Sequence, residues 1–254
     1  MSCGKISIIG IGPGNIFDMT PRAKNAIESA EIISGYKTYL NLIENFLSGK
    51  KIVATGMMQE IERAKISVEE AQKGFNVAVI SSGDAGVYGM AGLVIEIILN
   101  LPENVQPKFE VIAGISAVNS AAAILGAPLM HDFAVISLSD LMTDWDVIKN
   151  RVKCAAEGDF VIALYNPKSK KRTENIFEVQ KILLEHKNKN TPVGIVTNAG
   201  RVGEKKIIST LENFTSEEIN MFSLVLIGNS KTFVKNNFMI TPRGYENKNG
   251  GILS

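Results

Sequence analysis

The sequence predicts an α/β protein of two domains, and three observations carry that reading. The chain opens on "GKISIIGIGPGN", Gly4 to Asn15, a run of branched apolar residues entering a glycine-rich turn. Apolar runs then alternate with segments of helical period as far as residue 127, the signature of a βαβ-type domain. Beyond Pro128 the pattern turns strand-rich and hairpin-like, so residues 128–254 are expected to form a second domain around a mixed sheet. A chain of 254 residues, 45% apolar and 21% charged, can bury a core in each of two such domains.

The elements follow in order. "MTPRAKNAIESA" places Thr20 as an N-cap and Pro21 at the first helical position, with Ala23, Ala26, Ile27 and Ala30 forming an apolar stripe. "EIISG" and "KIVATG" read as strands, and "MMQEIERAKISVEEAQKG" as an amphipathic helix ending near Gly74. "NVAVISSG" is a buried strand, followed by a helix expected from about Ala85 through Leu99. "FEVIAG" then enters the small-residue helix "SAVNSAAAILG". In the second half come "FAVISLSD", a helix from about Trp145 to Ala156, "DFVIALYNP", the helix "TENIFEVQKILLEHK" and "TPVGIVTNAG". The strand-like "KKIISTLENF", "FSLVLIGNS" and "NFMITPRGY" follow, and the tail "ENKNGGILS" is expected to fray. Trp145 and the Phe177/Ile182 stripe read as core.

Composition excludes several classes. A formal net charge of +1 gives no global attraction to nucleic acid or an anionic membrane. Two isolated cysteines and two isolated histidines supply neither a disulfide framework nor a metal-ligand spacing. No leader-like segment or apolar run of transmembrane length is present, so a cytoplasmic protein is expected.

The opening loop departs from the dinucleotide fingerprint, which needs Gly-x-Gly-x-x-Gly; the third position here is Asn15. Pro13 removes a backbone donor that a pyrophosphate would use, and "EIISGY" offers no acidic residue for a ribose. Either the turn is a tight strand-to-helix connection, or it brings backbone close to a ligand without holding phosphate. "VISSGDAGVYGMAG" repeats the strand-then-glycine arrangement with Asp84 at a strand end, as a ligand residue or a cap of the following helix. "VIAGISAVNSAAA" does so a third time, with Ser116. Three such strand ends point to a crevice lined mainly by backbone.

Taken together, "GIGPGN", "SSGDAGVYGMAG" and "AGISAVNSAAA" resemble the tetrapyrrole methylase family of S-adenosylmethionine-dependent methyltransferases. The likeness runs on through "GYKTYLNLI", "LSDLMTDW", "GDFVIALYNPKSKKR", "TPVGIVTNAGR", "IGNSKT" and "MITPRGY", motifs of the branch that methylates and contracts the corrin ring in cobalamin biosynthesis. One departure is Asp144, where that branch carries proline; aspartate is a good helix N-cap. The resemblance implies two α/β domains with S-adenosylmethionine in the cleft between them, a homodimer, and a small-molecule tetrapyrrole as substrate. It places Pro13, Gly83, Asp84, Val87, Ser116, Ala117, Asn166 and Ala199 at the cofactor. Gly12, Gly14, Asp140, Arg172, Arg201 and Arg243 fall on the substrate side; no metal and no catalytic side chain is assigned.

The chemistry suits that placement. This cofactor has no phosphate, so a proline-containing loop forfeits little. Adenine needs an apolar slot, which Val87, Ala117 and Ala199 help provide. Arginines suit the substrate's carboxylates, whereas Lys168, Lys170 and Lys171 read more simply as a solvated helix start. The rival readings are a methylase for another precorrin carbon, a diphthine synthase, and a non-catalytic tetrapyrrole-binding module.

Overall fold

The computed structural model describes residues 3–56, 58–169 and 172–245. Lys170, Lys171 and the whole of the tail expected to fray lie outside them. The chain forms two compact units, Met1–Ala117 and Val118–Ser254.

The first unit is built on β1 (Lys5–Gly10), α1 (Pro21–Ser29), β2 (Ile32–Tyr36), α2 (Lys37–Leu40), β3 (Lys51–Thr55), α3 (Glu60–Gln72), β4 (Val77–Ser81), α4 (Ala91–Leu99) and β5 (Lys108–Ile112). Its five strands pair in the order β3-β2-β4-β1-β5, all parallel. The central strands are covered on both faces, which is why they read as unbroken apolar runs rather than as alternation. From β1, Ile6 and Ile8 enter one core with Val68, Val79 and Val94, while Ile9 enters the other with Ile27, Ile33 and Ile80. Thr20 caps α1 as the sequence predicts, its Oγ1 accepting the Ala23 N–H at 3.1 Å with Pro21 at the first helical position.

The helix after β4 begins at Ala91, not near Ala85, and Met90 at its N-cap makes no side-chain cap. The intervening residues form a loop because Gly83 and Tyr88 adopt positive φ, incompatible with a right-handed helix.

A polar clasp joins β5, β1 and α1. Glu110 takes Lys5 at 2.6 Å, Arg22 at 2.7 Å and the Ser7 hydroxyl at 3.0 Å. Hydrogen bonds from Lys5 and Arg22 pull its carboxyl down from 4.5 to about 2. A carboxyl with a depressed folded pKa stabilises the fold above the unfolded value and loses that contribution as pH falls through the folded one. Wild type should therefore lose on the order of 1–2 kcal/mol between about pH 4.5 and 2, the half-exposed partners limiting the size. Denaturant melts of Glu110→Gln against wild type test this. Parallel pH profiles of the two proteins across that window would refute it.

The second unit contains α5 (Ala117–Leu125), β6 (Gly126–Ala127), β7 (Phe133–Ser137), α6 (Trp145–Glu157), β8 (Val161–Tyr165), α7 (Asn175–His186), β9 (Pro192–Thr197), β10 (Lys205–Thr210), β11 (Ser223–Ile227), β12 (Phe233–Lys235) and β13 (Phe238–Ile240). The main sheet is ordered β10-β9-β11-β8-β7, with β7 and β8 parallel and the other pairs antiparallel. β12, β13 and β6 form a separate three-stranded sheet, β12 and β13 antiparallel and β13 and β6 parallel. Ile148, Val152, Ile176, Val179 and Leu183 of α6 and α7 pack on Ile162, Leu164, Val193, Ile195 and Val225.

The division at Ala117 falls ahead of the Pro128 boundary, and packing explains it. Gly194 on β9 leaves room for Leu125, which would sit 2.5 Å from any Cβ there, and the Val118 N–H donates to Tyr165 Oη at 2.9 Å. Helix α5 thus takes its partners from the second unit. Two smaller expectations are corrected. Asp144 occupies the N-cap of α6 but makes no side-chain cap. Phe177 is 36% exposed rather than core, with Lys168 Nζ 5.9 Å from its ring centre.

Candidate functional site

In the first unit, β4, β1 and β5 lie side by side and run parallel, so their three glycine-bearing ends meet at one edge. This is the edge at which open α/β sheets hold ligands. The ends are stitched by backbone: Gly12 N–H donates to Gly83 O at 3.1 Å, and Gly83 N–H returns to Gly12 O at 2.8 Å. Gly83 has φ +68°, a conformation costly for any residue with a Cβ. Gly114 is required by close approach, since a Cβ there would lie 2.3 Å from Gly83 O and 2.5 Å from Gly10 O.

Asp84 is the knot of this arrangement. Its Oδ1 accepts the Gly86 N–H at 2.8 Å and its Oδ2 the Gly114 N–H at 2.9 Å. It does not cap α4, which starts seven residues later at Ala91. The carboxylate joins the loop after β4 to the loop after β5, and each oxygen keeps a lone pair for a ligand. Pro13 and Ser116 are buried nearby in sequence on their loops, while Val87 is 37% exposed. Ala117 opens α5, and Gly12 and Gly14 both have positive φ.

A dinucleotide does not suit this edge. β4 separates β1 from β2, so the end of β2 cannot serve the first loop as a ribose-binding strand end does. Pro13 supplies no N–H, and the loops present carbonyls, apolar side chains and one carboxylate that already accepts two bonds. The edge is shaped for close backbone approach to a ligand without phosphate.

In the second unit, β7, β8 and β9 all run the same way, so their carboxyl ends share one edge of the main sheet. That edge gathers Asp140, Asn166, Arg172, Ala199 and Arg201. Asn166 is held in the left-handed region at φ +50°, with Nδ2 donating to Ser137 Oγ at 2.9 Å. Arg172 folds back over it: Nη2 donates to Asn166 O at 3.3 Å, and Nη1 to Asp140 Oδ1 at 3.1 Å and Ser139 Oγ at 3.4 Å. The Asp140 carboxyl lies below its ordinary range; burial opposes this, and the Arg172 hydrogen bond heads the effects that outweigh it. The Arg172 side chain is 13% exposed and holds Asn166 O through Nη2, while its buried Nε has no partner among the described residues.

Ala199 lies on a turn in which Arg201 N–H donates to Asn198 O at 2.9 Å and Gly200 N–H to Glu204 Oε2 at 2.8 Å. Arg243 is not brought to this edge. Its Nη1 donates to Met130 O at 3.3 Å, ahead of the start of β7 and hence at the opposite edge of the same sheet. Sequence reasoning missed Ser137 and Ser139, which brace Asn166 and Arg172, and Tyr165, whose hydroxyl takes the Val118 N–H. Only "LYNP" carried a signal for the last of these.

Fold and site together define a class: a two-unit α/β protein whose first sheet ends in a glycine-lined, phosphate-free ligand edge. The chain belongs to the tetrapyrrole (corrin/porphyrin) methylases, whose family profile matches residues 5–215. It is 49% identical over 247 residues to a cobalt-factor III methyltransferase of Priestia megaterium, covering 96% of this chain but only 46% of that protein. It is likewise 49% identical to a probable cobalt-factor III C(17)-methyltransferase of Salmonella typhimurium, covering 94% of this chain and 99% of the relative. Among solved structures, the methyltransferase CobJ superposes with a TM-score of 0.89 at 33% identity, covering 94% of this chain and 100% of CobJ. A Thermus thermophilus uroporphyrin-III C-methyl transferase complexed with S-adenyl homocysteine shares the fold, with a TM-score of 0.67 at 18% identity over 89% of this chain and 92% of that one.

Proposed function

We propose that this protein is the S-adenosylmethionine-dependent methyltransferase of cobalamin biosynthesis that methylates carbon 17 of cobalt-factor III or its metal-free counterpart precorrin-3B, with contraction of the ring. One observation carries the reading: the match to the Salmonella protein spans almost the full length of both chains at 49% identity. The glycine-lined edge agrees with it, because a sulfonium nucleoside needs close backbone contact and hydrogen-bond acceptors, not a phosphate cradle.

On this reading the cofactor supplies an electrophilic methyl group on a cationic sulfur. The chain's residues bind and orient it. The Gly83–Asp84 and Gly114–Ser116 loops form the floor, and the lone pairs of Asp84 that its backbone bonds leave accept from ribose or ammonium. Val87 and Ala117 offer apolar surface to the adenine. Asn166 and Ala199 are further proposed cofactor contacts, and Arg201 a proposed contact for substrate carboxylate, its planar fork matching that group. Gly12 and Gly14 border the acceptor. Holding donor and acceptor in line while excluding water is the main contribution asked of the protein. The same reading has it act as a cytoplasmic homodimer on a small-molecule tetrapyrrole. No helix among the described residues is long and apolar enough to cross a membrane.

Incubation with labelled S-adenosylmethionine and factor III, with and without cobalt, tests the reaction by product mass; a gain of one methyl group is expected. Transfer to an earlier or later intermediate, but not to factor III, would move the protein to another branch. Calorimetry tests the cofactor separately: S-adenosylhomocysteine should bind and NAD should not, and tight NAD binding would overturn the assignment.

A further inference from the structure

At the edge of the second sheet opposite Asn166, where β7 and β8 begin and β11 ends, four loops line an open cavity of about 510 Å³. They run through His131–Asp132, Gly158–Phe160, Asn229–Lys231 and Pro242–Gly244. Its wall is built rather than incidental. Lys187, with a side chain 3% exposed, donates to Asp159 Oδ1 at 3.2 Å and to Phe160 O at 3.0 Å. Asp159, at φ +53°, also accepts the Ser230 N–H at 2.9 Å and the Ser230 hydroxyl at 2.6 Å. The charge of this carboxylate is therefore met from within, and it offers little to a ligand.

The donors around the cavity are not used up in the same way. Asn229 is 6% exposed; its Oδ1 accepts from the Lys231 N–H at 3.0 Å and from Thr232 Oγ1 at 3.1 Å. Its Nδ2 makes no hydrogen bond among the described residues and is not a buried atom, so it is open to the cavity. Among the described residues Arg243 makes one bond, to Met130 O, leaving most of its five N–H groups. Lys231 Nζ has no ion-pair partner among the described residues. The remaining carboxylate, Asp132, is 81% exposed and stands 3.8 Å from His131.

We propose that this cavity is an oxyanion site. Arg243 is its planar fork, Lys231 its second positive charge, and Asn229 its neutral donor. The group it takes is a carboxylate or phosphate, because the planar guanidinium fork matches two oxygens of one anion while the ammonium and the amide N–H meet the rest. Such an anion has two sources, an acidic arm of a tetrapyrrole or a free small anion. The site stands apart from the methyl-transfer reading, since anion binding is measured without turnover.

Isothermal titration of the full chain with inorganic phosphate, and separately with the octacarboxylate uroporphyrin, distinguishes the sources. Arg243→Gln and Lys231→Gln should each weaken the binding probe by about tenfold, the loss of one charge-assisted hydrogen bond. Weakened phosphate binding makes the source a free anion. Weakened uroporphyrin binding with no phosphate binding makes it an acidic arm. Lys231 is exposed, so its variant decides the matter if Arg243→Gln does not fold. The proposal is overturned if wild type binds neither probe, or if both variants bind every probe within twofold of wild type.

Discussion

Gly114→Ala is expected to abolish measurable cofactor binding while leaving a folded but weakened protein. The new methyl would sit 2.3 Å from Gly83 O and 2.5 Å from Gly10 O, and both neighbours are backbone. No side-chain rotation relieves such a contact, so the carboxyl ends of β4, β1 and β5 must spread. Overpacking of this kind costs on the order of 2–3 kcal/mol, and the spread also pulls the Gly114 N–H from Asp84. Titration with S-adenosylhomocysteine should show at least about a hundredfold loss of affinity, equivalent to roughly 2.7 kcal/mol. Gly92→Ala is the control: it lies in α4 with nothing within 4 Å of its would-be Cβ, and should stabilise by about 0.5–1 kcal/mol. Asp84→Asn should fall between the two, because an amide leaves one of the two backbone N–H groups facing another donor. If Gly114→Ala lowers the melting temperature but binds S-adenosylhomocysteine like wild type, the glycine-lined edge is not the cofactor site.

The second large effect is expected at Arg172. Replacement by Gln removes the brace on Asn166 O and the charge beside Asp140, and frees Asn166 from a conformation unfavourable to a residue with a side chain. As a positioning residue for a proposed cofactor contact, it should lower S-adenosylhomocysteine affinity about tenfold, with KM for the tetrapyrrole changed much less. Asn166→Gly, which tolerates the left-handed conformation without a brace, should make affinity insensitive to a further Arg172→Gln change. A raised tetrapyrrole KM with unaltered cofactor affinity would instead return Arg172 to the substrate side.

Local chemistry made much of this protein legible in its sequence. Thr20 and Pro21 announced α1 because capping is decided by two adjacent residues. Unbroken apolar runs announced β1 and β4 because strands covered on both faces have no polar side to show. The opening loop departs from the dinucleotide fingerprint through Pro13 and Asn15, and "EIISGY" lacks the acidic residue. Where the reading stopped short, the deciding partner was distant. Asp84 could be read as a ligand residue or a helix cap, and what removed the cap was its partner Gly114, thirty residues away along the chain. The contacts of Arg172, read from the sequence only as a substrate-side residue, were not visible because Asp140 and Asn166 reach it only when β7 and β8 pair in parallel.

Sequence by itself thus determined the residue types at each strand end, the two-domain α/β class, and the departure of the opening loop from the dinucleotide fingerprint. Tertiary structure alone decided which strand ends meet. The order β3-β2-β4-β1-β5 places three glycine loops in contact, and the bond of Arg243 to Met130, ahead of β7, sets it at the opposite edge from Arg172. Strand order escapes local reading because it is set by how crossover helices bury their apolar faces against the whole sheet, a competition among non-local contacts that no short segment encodes.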